Sequence, residues 1–296
     1  MKIYNIVQRK GGEGKSETAL NLAYGFSQKG LRTLLIDLDP QANATGRIMK
    51  SEQNYNASAA AQIIDQFNTS SNGKDTSTCF QLATELLHDF VLKTELTADV
   101  HNVLESPKSI QSAIYKTDYD NLWIIPASKR LSETDIRLKV DGKNPSGRLR
   151  QALDLVKDDY DVVVIDNSPF TNALTYNAIN ACMHEGDTVI VPVKISRGGL
   201  EGLDDTIHML LEWLEYETCM YDLKILITMK NKNANDIAWS SALQTMFKDF
   251  IYKTEIRYQA KPVSNASLQK RILIEDQHSA VAADYRKLID EITGGM

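Results

Sequence analysis

Seven residues, Lys10-Gly11-Gly12-Glu13-Gly14-Lys15-Ser16, stand between a β-prone run and an amphipathic helix, and they constrain the fold more than any other part of the chain. Ile3-Tyr4-Asn5-Ile6-Val7 precedes them. After them Ala19, Leu20, Ala23 and Phe26 recur at helical spacing between Thr18 and Lys29, and Gly30 is placed to end that helix. Leu34-Leu35-Ile36 then reads as a buried parallel strand running into Asp37 and Asp39. Strand, glycine loop, helix, strand is the βαβ unit in which phosphate-binding loops occur. Without a Cβ, the backbone of Gly11, Gly12 and Gly14 closes on a polyphosphate. The helix that follows directs its free N–H groups and positive dipole end at the anion. Lys15 is spaced to reach β- and γ-oxygens and Ser16 to ligate Mg²⁺, while Glu13 and Glu17 complete the residues of the cradle. A standard loop of this kind has glycine five positions before Gly14. Here that position is Arg9, so the match is to the variant loop marked by a second lysine, Lys10.

Alternating strand and helix signals continue to the end of the chain. Strands are expected at Leu122–Pro126, Val162–Asp166, Thr188–Pro192 and Leu223–Thr228, separated by helices through Leu149 to Val156, Leu174 to Met183 and Leu200 to Tyr216. Helices near Ile237 to Phe250 and Val281 to Ile292 complete the series. The class is therefore α/β: a mostly parallel, doubly wound sheet flanked by helices, with ligands at the carboxyl ends of the strands, where Asp37, Asp39 and Asp166 fall. Ser51 to Asp99 breaks the rhythm, with helical stretches at Ser58–Phe67 and Gln81–Leu96 around a polar loop from Ser70 to Ser77. The expected organisation is one domain over residues 1–296 with an edge insertion at about 51–99.

At 296 residues, 43% hydrophobic and 24% charged, the chain is long enough for one large α/β core. No run reaches the apolar length that spans a bilayer, and the first residues lack a signal-peptide core. Cys79, Cys182 and Cys219 are few and widely spaced, which suits a reducing cytoplasm and forms no metal-ligand pattern. A net charge of −6 argues against a protein coated in nucleic acid, but charge is uneven. Lys224 to Arg271 holds nine Lys or Arg against Asp236, Asp249 and Glu255. That surplus is either a solvated helix face or the electrostatic footprint of a phosphate backbone.

The three strand-end acids have separable chemistry. Asp166 suits a water-mediated hold on Mg²⁺, Asp37 similar work or the orientation of Lys15, and Asp39 the positioning of a water for attack on a γ-phosphate. With these residues assembled, the chain resembles the ParA/Soj/MinD family of deviant Walker A ATPases, and most of all its ParA/Soj partition branch. The matching pieces are Lys10–Ser16, the run Leu34–Thr45 with its Asp37-Leu38-Asp39-Pro40-Gln41-Ala42-Asn43-Ala44-Thr45, Tyr160–Asp166, Val191-Pro192-Val193 and Leu200-Glu201-Gly202. The resemblance implies a P-loop fold, ATP and Mg²⁺ as cofactors, and an ATP-bound homodimer in which Lys10 of one subunit reaches the phosphates of the other. It also implies nonspecific DNA binding, a nucleoid-associated cytoplasmic location without membrane attachment, and hydrolysis stimulated by a ParB-type centromere-binding partner. Lys10, Lys15 and Asp39 carry over as catalytic residues, and Ser16, Asp37 and Asp166 as metal-holding ones. Candidate DNA contacts are Lys230, Lys232, Lys261, Lys270 and Arg271, and charge reversal at the last two should weaken binding to all sequences alike.

Some positions depart from the family pattern. Glu13 stands where valine is usual, and Glu17 where a second threonine usually meets the α-phosphate. A carboxylate at Glu17 is expected to point away from the anion or to weaken its binding. Arg257-Tyr258 replaces a Pro-Arg step near the base. The alternative readings are a MinD-like membrane-cycling ATPase and a non-hydrolysing nucleotide-binding adaptor, the intact Lys15, Ser16, Asp39 and Asp166 arguing against the second. A relative of iron–sulfur reductases would need paired cysteine ligands, for which Cys182 and Cys219 are not placed.

Overall fold

The hydrophobic runs become strands of one seven-stranded sheet. The computed structural model describes residues 1–49, 57–92, 96–140, 145–182, 184–216 and 221–294. In chain order, β1 (Lys2–Ile6), α1 (Lys15–Gln28), β2 (Thr33–Leu38) and α2 (Asn43–Ile48) form the opening unit. Then come α3 (Ala57–Ser71), α4 (Thr76–Leu92), α5 (Val100–Glu105), α6 (Ile110–Ala113), β3 (Tyr115–Lys116), β4 (Leu122–Ile125), α7 (Leu131–Val140) and α8 (Arg148–Asp154). The second half runs β5 (Val162–Asn167), α9 (Ala173–Ala181), β6 (Thr188–Lys194), α10 (Arg197–Tyr216) and β7 (Asp222–Thr228). It closes with α11 (Ala234–Phe247), α12 (Ala260–Leu268) and α13 (Ala280–Thr293).

The strand order is β3-β4-β2-β5-β1-β6-β7. Every pairing is parallel except β3 with β4. The β-branched run of β5 is continuous because both faces of the sheet are covered. Val163 and Ile165 point into one core with Leu34, Ile36, Leu149 and Leu210. Val162 and Val164 point into the other with Leu20, Phe26, Leu288 and Ile289. The doubly wound parallel sheet expected from the sequence is thus what the chain forms. Among the described residues no helix is long and apolar enough to cross a membrane.

Between α2 and α5 the chain makes a helical hairpin, α3 packing on α4. The polar loop expected over Ser70–Ser77 is shorter than its composition implied. α3 runs through Ser71, and α4 begins at Thr76 because Asp75 caps it, its carboxylate accepting from Ser77 N, Thr78 N and Thr78 Oγ1 at 2.9, 3.1 and 2.6 Å. Those bonds hold the Asp75 carboxyl below the usual range. Most of the stretch joining α2 to this hairpin, and Cys219, lie outside the described residues.

Candidate nucleotide-binding site

The loop between β1 and α1 needs glycine where the backbone turns left-handed, at Gly12 (φ 80°) and Gly14 (φ 88°). Gly14 is the N-cap of α1 and offers no side chain to its first turn, so those N–H groups face the cleft. The loop is tied down at the ends of two strands. Thr228 Oγ1 donates to the Glu13 carbonyl at 2.9 Å, and Lys194 N donates to Glu13 Oε2 at 2.6 Å. Glu13 is buried, and its side chain faces β6 rather than the cleft. The repulsion its charge would cause there is avoided, and its remaining contribution to the cradle is backbone.

Lys10 lies beside this tie, its Nζ 3.7 Å from Glu13 Oε1 and along the first turns of α10, where a Cβ on Gly198 would stand 2.1 Å from that Nζ. Gly199 is tighter still, since a Cβ there would stand 2.0 Å from the Lys194 carbonyl oxygen and 3.1 Å from Glu13 Oε2. Gly199→Ala is accordingly expected to cost about 1–3 kcal/mol, read as a lower urea midpoint at unchanged slope.

Lys15 is 7% exposed and its Nζ donates to the Lys10 carbonyl at 3.1 Å, across the mouth of the loop. Burial lowers its pKa, opposed by the charges of Asp166, Asp39 and Glu13. Asp37 and Asp166 are register partners on β2 and β5, both without solvent exposure. Asp37 is fully committed to protein groups: Oδ1 accepts from Asp39 N at 3.0 Å, and Oδ2 from Thr45 N and Thr45 Oγ1, each at 2.8 Å. Thr45 Oγ1 in turn accepts from Ala127 N at 2.9 Å. Burial raises the Asp37 pKa to about 6 against the pull of these bonds. This carboxylate therefore shapes the Asp39–Thr45 turn more directly than it serves a metal. Asp39 is 7% exposed, lines the cleft, and is oriented by Gln41 N on Oδ1 at 2.9 Å.

Asp166 is different. Among the described residues neither of its oxygens has a hydrogen-bond partner of ordinary geometry. Burial and then the charge of Asp37 push its pKa well up, with Ser16 and Lys15 pulling the other way. Two orphaned carboxylate oxygens beside the Ser16 hydroxyl fit a hydrated divalent cation, which supplies the missing donors through its waters. Among the described residues no three His, Cys, Asp or Glu side chains converge as a metal cage. The donor set thus suits an ion that is shared with a phosphate and keeps its own water.

Lys15, Ser16 and Asp39 line a cleft of about 940 Å³ together with Gly11, Gly12, Gly14, Pro40, Gln41 and Asn43, and with Ser132, Asp135 and Lys139 of α7 and Phe170. The α7 residues escaped the sequence reading. A signal was available in Glu133 near its start and Arg137 and Lys139 near its end, the dipole-matched order of a short helix. A second pocket of about 390 Å³ adjoins the first at Gly14, Glu17 and Met229 and continues along Ile256, Tyr258 and Val263. Arg257 is held there by Asp284, Nε to Oδ2 at 2.6 Å.

Glu17 points to Arg47 and Asn21, which hold its two oxygens at 3.4 and 2.9 Å. The basic candidates are not equivalent. Lys232, Lys261 and Arg271 are exposed. Lys270 is half-buried in a left-handed turn (φ 49°), and burial lowers its pKa. Lys230 departs from the expectation of a solvent-facing contact, because its ammonium is taken by Glu255 and by Ser240 Oγ.

A family model described as an AAA domain, AAA_31, matches residues 1–225. The chain belongs to that family. Relatives of this AAA-domain chain include the sporulation initiation inhibitor protein Soj of Bacillus subtilis (strain 168), 29% identical over 295 residues that cover 98% of each protein. Apo McdA from Cyanothece superposes with a TM-score of 0.74 at 18% identity, covering 99% of this chain and 100% of the other. A plasmid partition protein from Borrelia burgdorferi bound to AMPPNP gives 0.68 at 22% identity, over 100% and 99%. The structural likenesses are likenesses of fold. Together with the Soj relative they bear out the ParA/Soj resemblance read from the loop and the Asp37–Thr45 run.

Proposed function

We propose that this AAA-domain protein is an ATP-dependent partition ATPase that binds DNA without sequence preference as a nucleotide-bound homodimer. The observation that carries the reading is that Lys15, Ser16 and Asp39 line one cleft, with the buried Asp166 carboxylate beside Ser16 and Lys15. Likeness to Soj supports the partition role. Phosphates lie on the loop and on the N-terminus of α1, with the base in the pocket between Met229 and Val263. Lys15 would neutralise phosphate charge, Asp39 would orient the attacking water, and Ser16 and Asp166 would hold a Mg²⁺, which would supply further charge neutralisation when bound. Lys10 leaves Glu13 to reach a partner subunit's phosphates. A ParB-type protein stimulates hydrolysis. Residues 51–99 form an insertion of the single 1–296 domain, and its deletion should lower stimulated turnover.

Lys232, Lys261, Lys270 and Arg271 form the DNA-facing set; Lys230 is left out because its charge is spent on Glu255. Co-sedimentation with nonspecific DNA and with anionic liposomes, under ATP and under ADP, tests the reading. ATP-dependent pelleting with DNA, weakening at least about tenfold between roughly 50 and 200 mM salt, is the expected result. Liposome binding instead would move the protein to the MinD-like reading, and flat salt dependence would remove the DNA interface.

A further inference from the structure

Glu17 puts a carboxylate in the first turn of α1, on the wall shared by the phosphate cleft and the adjoining pocket. An uncompensated acid there opposes any polyphosphate. The structure compensates it with one residue. Arg47, in the last turn of α2, places NH1 3.4 Å from Glu17 Oε2, with the two side chains 12% and 16% exposed. A pair this sheltered is screened far less than one on the surface. The guanidinium is held from behind, its Nε and NH2 donating to the Arg271 carbonyl at 3.2 and 2.8 Å. On the other side Asn21 Nδ2 donates to Glu17 Oε1 at 2.9 Å, while Asn21 Oδ1 accepts from Ile274 N at 2.8 Å. Both carboxylate oxygens are thus occupied, one from α1 and one from α2, and the segment after α12 holds both of those partners in place. The planar fork of arginine makes that bridge; the point charge of lysine would not make the same pair of contacts to one carbonyl.

We propose that Arg47 is the charge-compensating residue of the nucleotide site, cancelling Glu17 and holding it off the phosphates so that a loop containing an acid retains its affinity for a polyphosphate. The inference rests on the nucleotide reading above. It assigns Arg47 a positioning and electrostatic role acting through Glu17, without contact to the ligand.

Calorimetric titration of the full chain with ADP in the presence of Mg²⁺ tests it. Arg47→Ala should bind about 10- to 30-fold more weakly than wild type, because it leaves Glu17 unpaired beside the anion. Glu17→Gln should bind at least as tightly as wild type. The double variant Glu17→Gln/Arg47→Ala should return to within about threefold of wild type, since neither charge is then left alone. The nucleotide-induced rise in melting temperature should follow the same order. Wild-type affinity in Arg47→Ala overturns the proposal. So does a double variant as weak as Arg47→Ala, whether because Arg47 touches the nucleotide or because it is needed for folding. Absence of binding in the wild type overturns the nucleotide reading itself, and this proposal with it.

Discussion

Asp166→Asn should make the nucleotide-free protein more stable and its Mg²⁺-dependent nucleotide binding weaker. Asp166 and Asp37 face each other across β2 and β5, fully buried, with Asp37 held at about 6 and Asp166 pushed well above the carboxylate range. A carboxyl whose pKa is higher folded than unfolded holds its proton more tightly in the folded state. Its stabilising contribution is therefore complete below the unfolded value near 4 and is lost as pH rises through the folded value. For Asp37 that window runs from about 4 to about 6, and for Asp166 it reaches higher. As pH rises toward 8 the wild type must bring charge onto two buried, facing carboxylates, whereas the asparagine variant brings it onto one. A gain of about 1–3 kcal/mol is expected for the variant at pH 8, shrinking toward pH 5. With Mg²⁺ and ATP the order should invert, because the variant would offer the hydrated ion a neutral amide in place of a carboxylate. Scanning calorimetry from pH 5 to 8, with and without Mg²⁺–ATP, reads both effects. A variant less stable than wild type at every pH would mean that Asp166 is satisfied by protein groups.

Asp39→Ala should keep ATP binding and lose turnover by at least about 100-fold. Asp39 sits at the carboxyl end of β2 and is held in the cleft by Gln41 N, while Asp37, Thr45 and Ala127 fix the turn that carries it. Nothing in that support depends on a second hydrogen bond from Asp39 itself, so the alanine variant should fold with the phosphate cradle intact. A catalyst that binds but does not turn over accumulates its ATP state. Light scattering under ATP should then show a persistent dimer in the variant, against a transient one in the wild type. Loss of ATP binding would instead assign Asp39 to the ligand's ground state.

The sheet and the loop were legible because their signals are local. Glycines at left-handed positions, continuous β-branched runs and Asp at strand ends each follow from the residue's own chemistry. What was not legible depended on partners far along the chain. Glu13 reads as an intruder in an anion cradle until Lys194 N is seen to occupy its carboxylate. Glu17 reads the same way until Arg47 is placed beside it. Lys230 reads as a surface cation because its partner Glu255 lies on a different segment. Helix α7 was missed because only Leu131, Thr134 and Leu138 are buried, too thin an apolar stripe to show a period. Helix α12 was missed because Pro262 stands at its third residue. Proline is tolerated in a first turn but reads as a breaker in sequence. The short loop between α3 and α4 was overextended for a simpler reason, since Asp75 among Asn, Gly and Thr looks like loop composition and acts as a cap.

The strand order also sets when the site comes into being. Among the described residues β1 has no neighbour in the sheet except Val162–Asp166 of β5 and Thr188–Ile190 of β6, both far along the chain. At ordinary rates of about 5–20 residues per second, the ribosome takes roughly 10–40 s to deliver both. During that interval the segment destined to carry the phosphate loop has two unpaired edges and an apolar sequence, the combination most prone to wrong pairing. Its native pairings are long-range, so closure is slow even for the released chain. Truncation anywhere before β6 should yield protein that aggregates, whereas mutations confined to the α3–α4 hairpin should leave refolding rates unchanged.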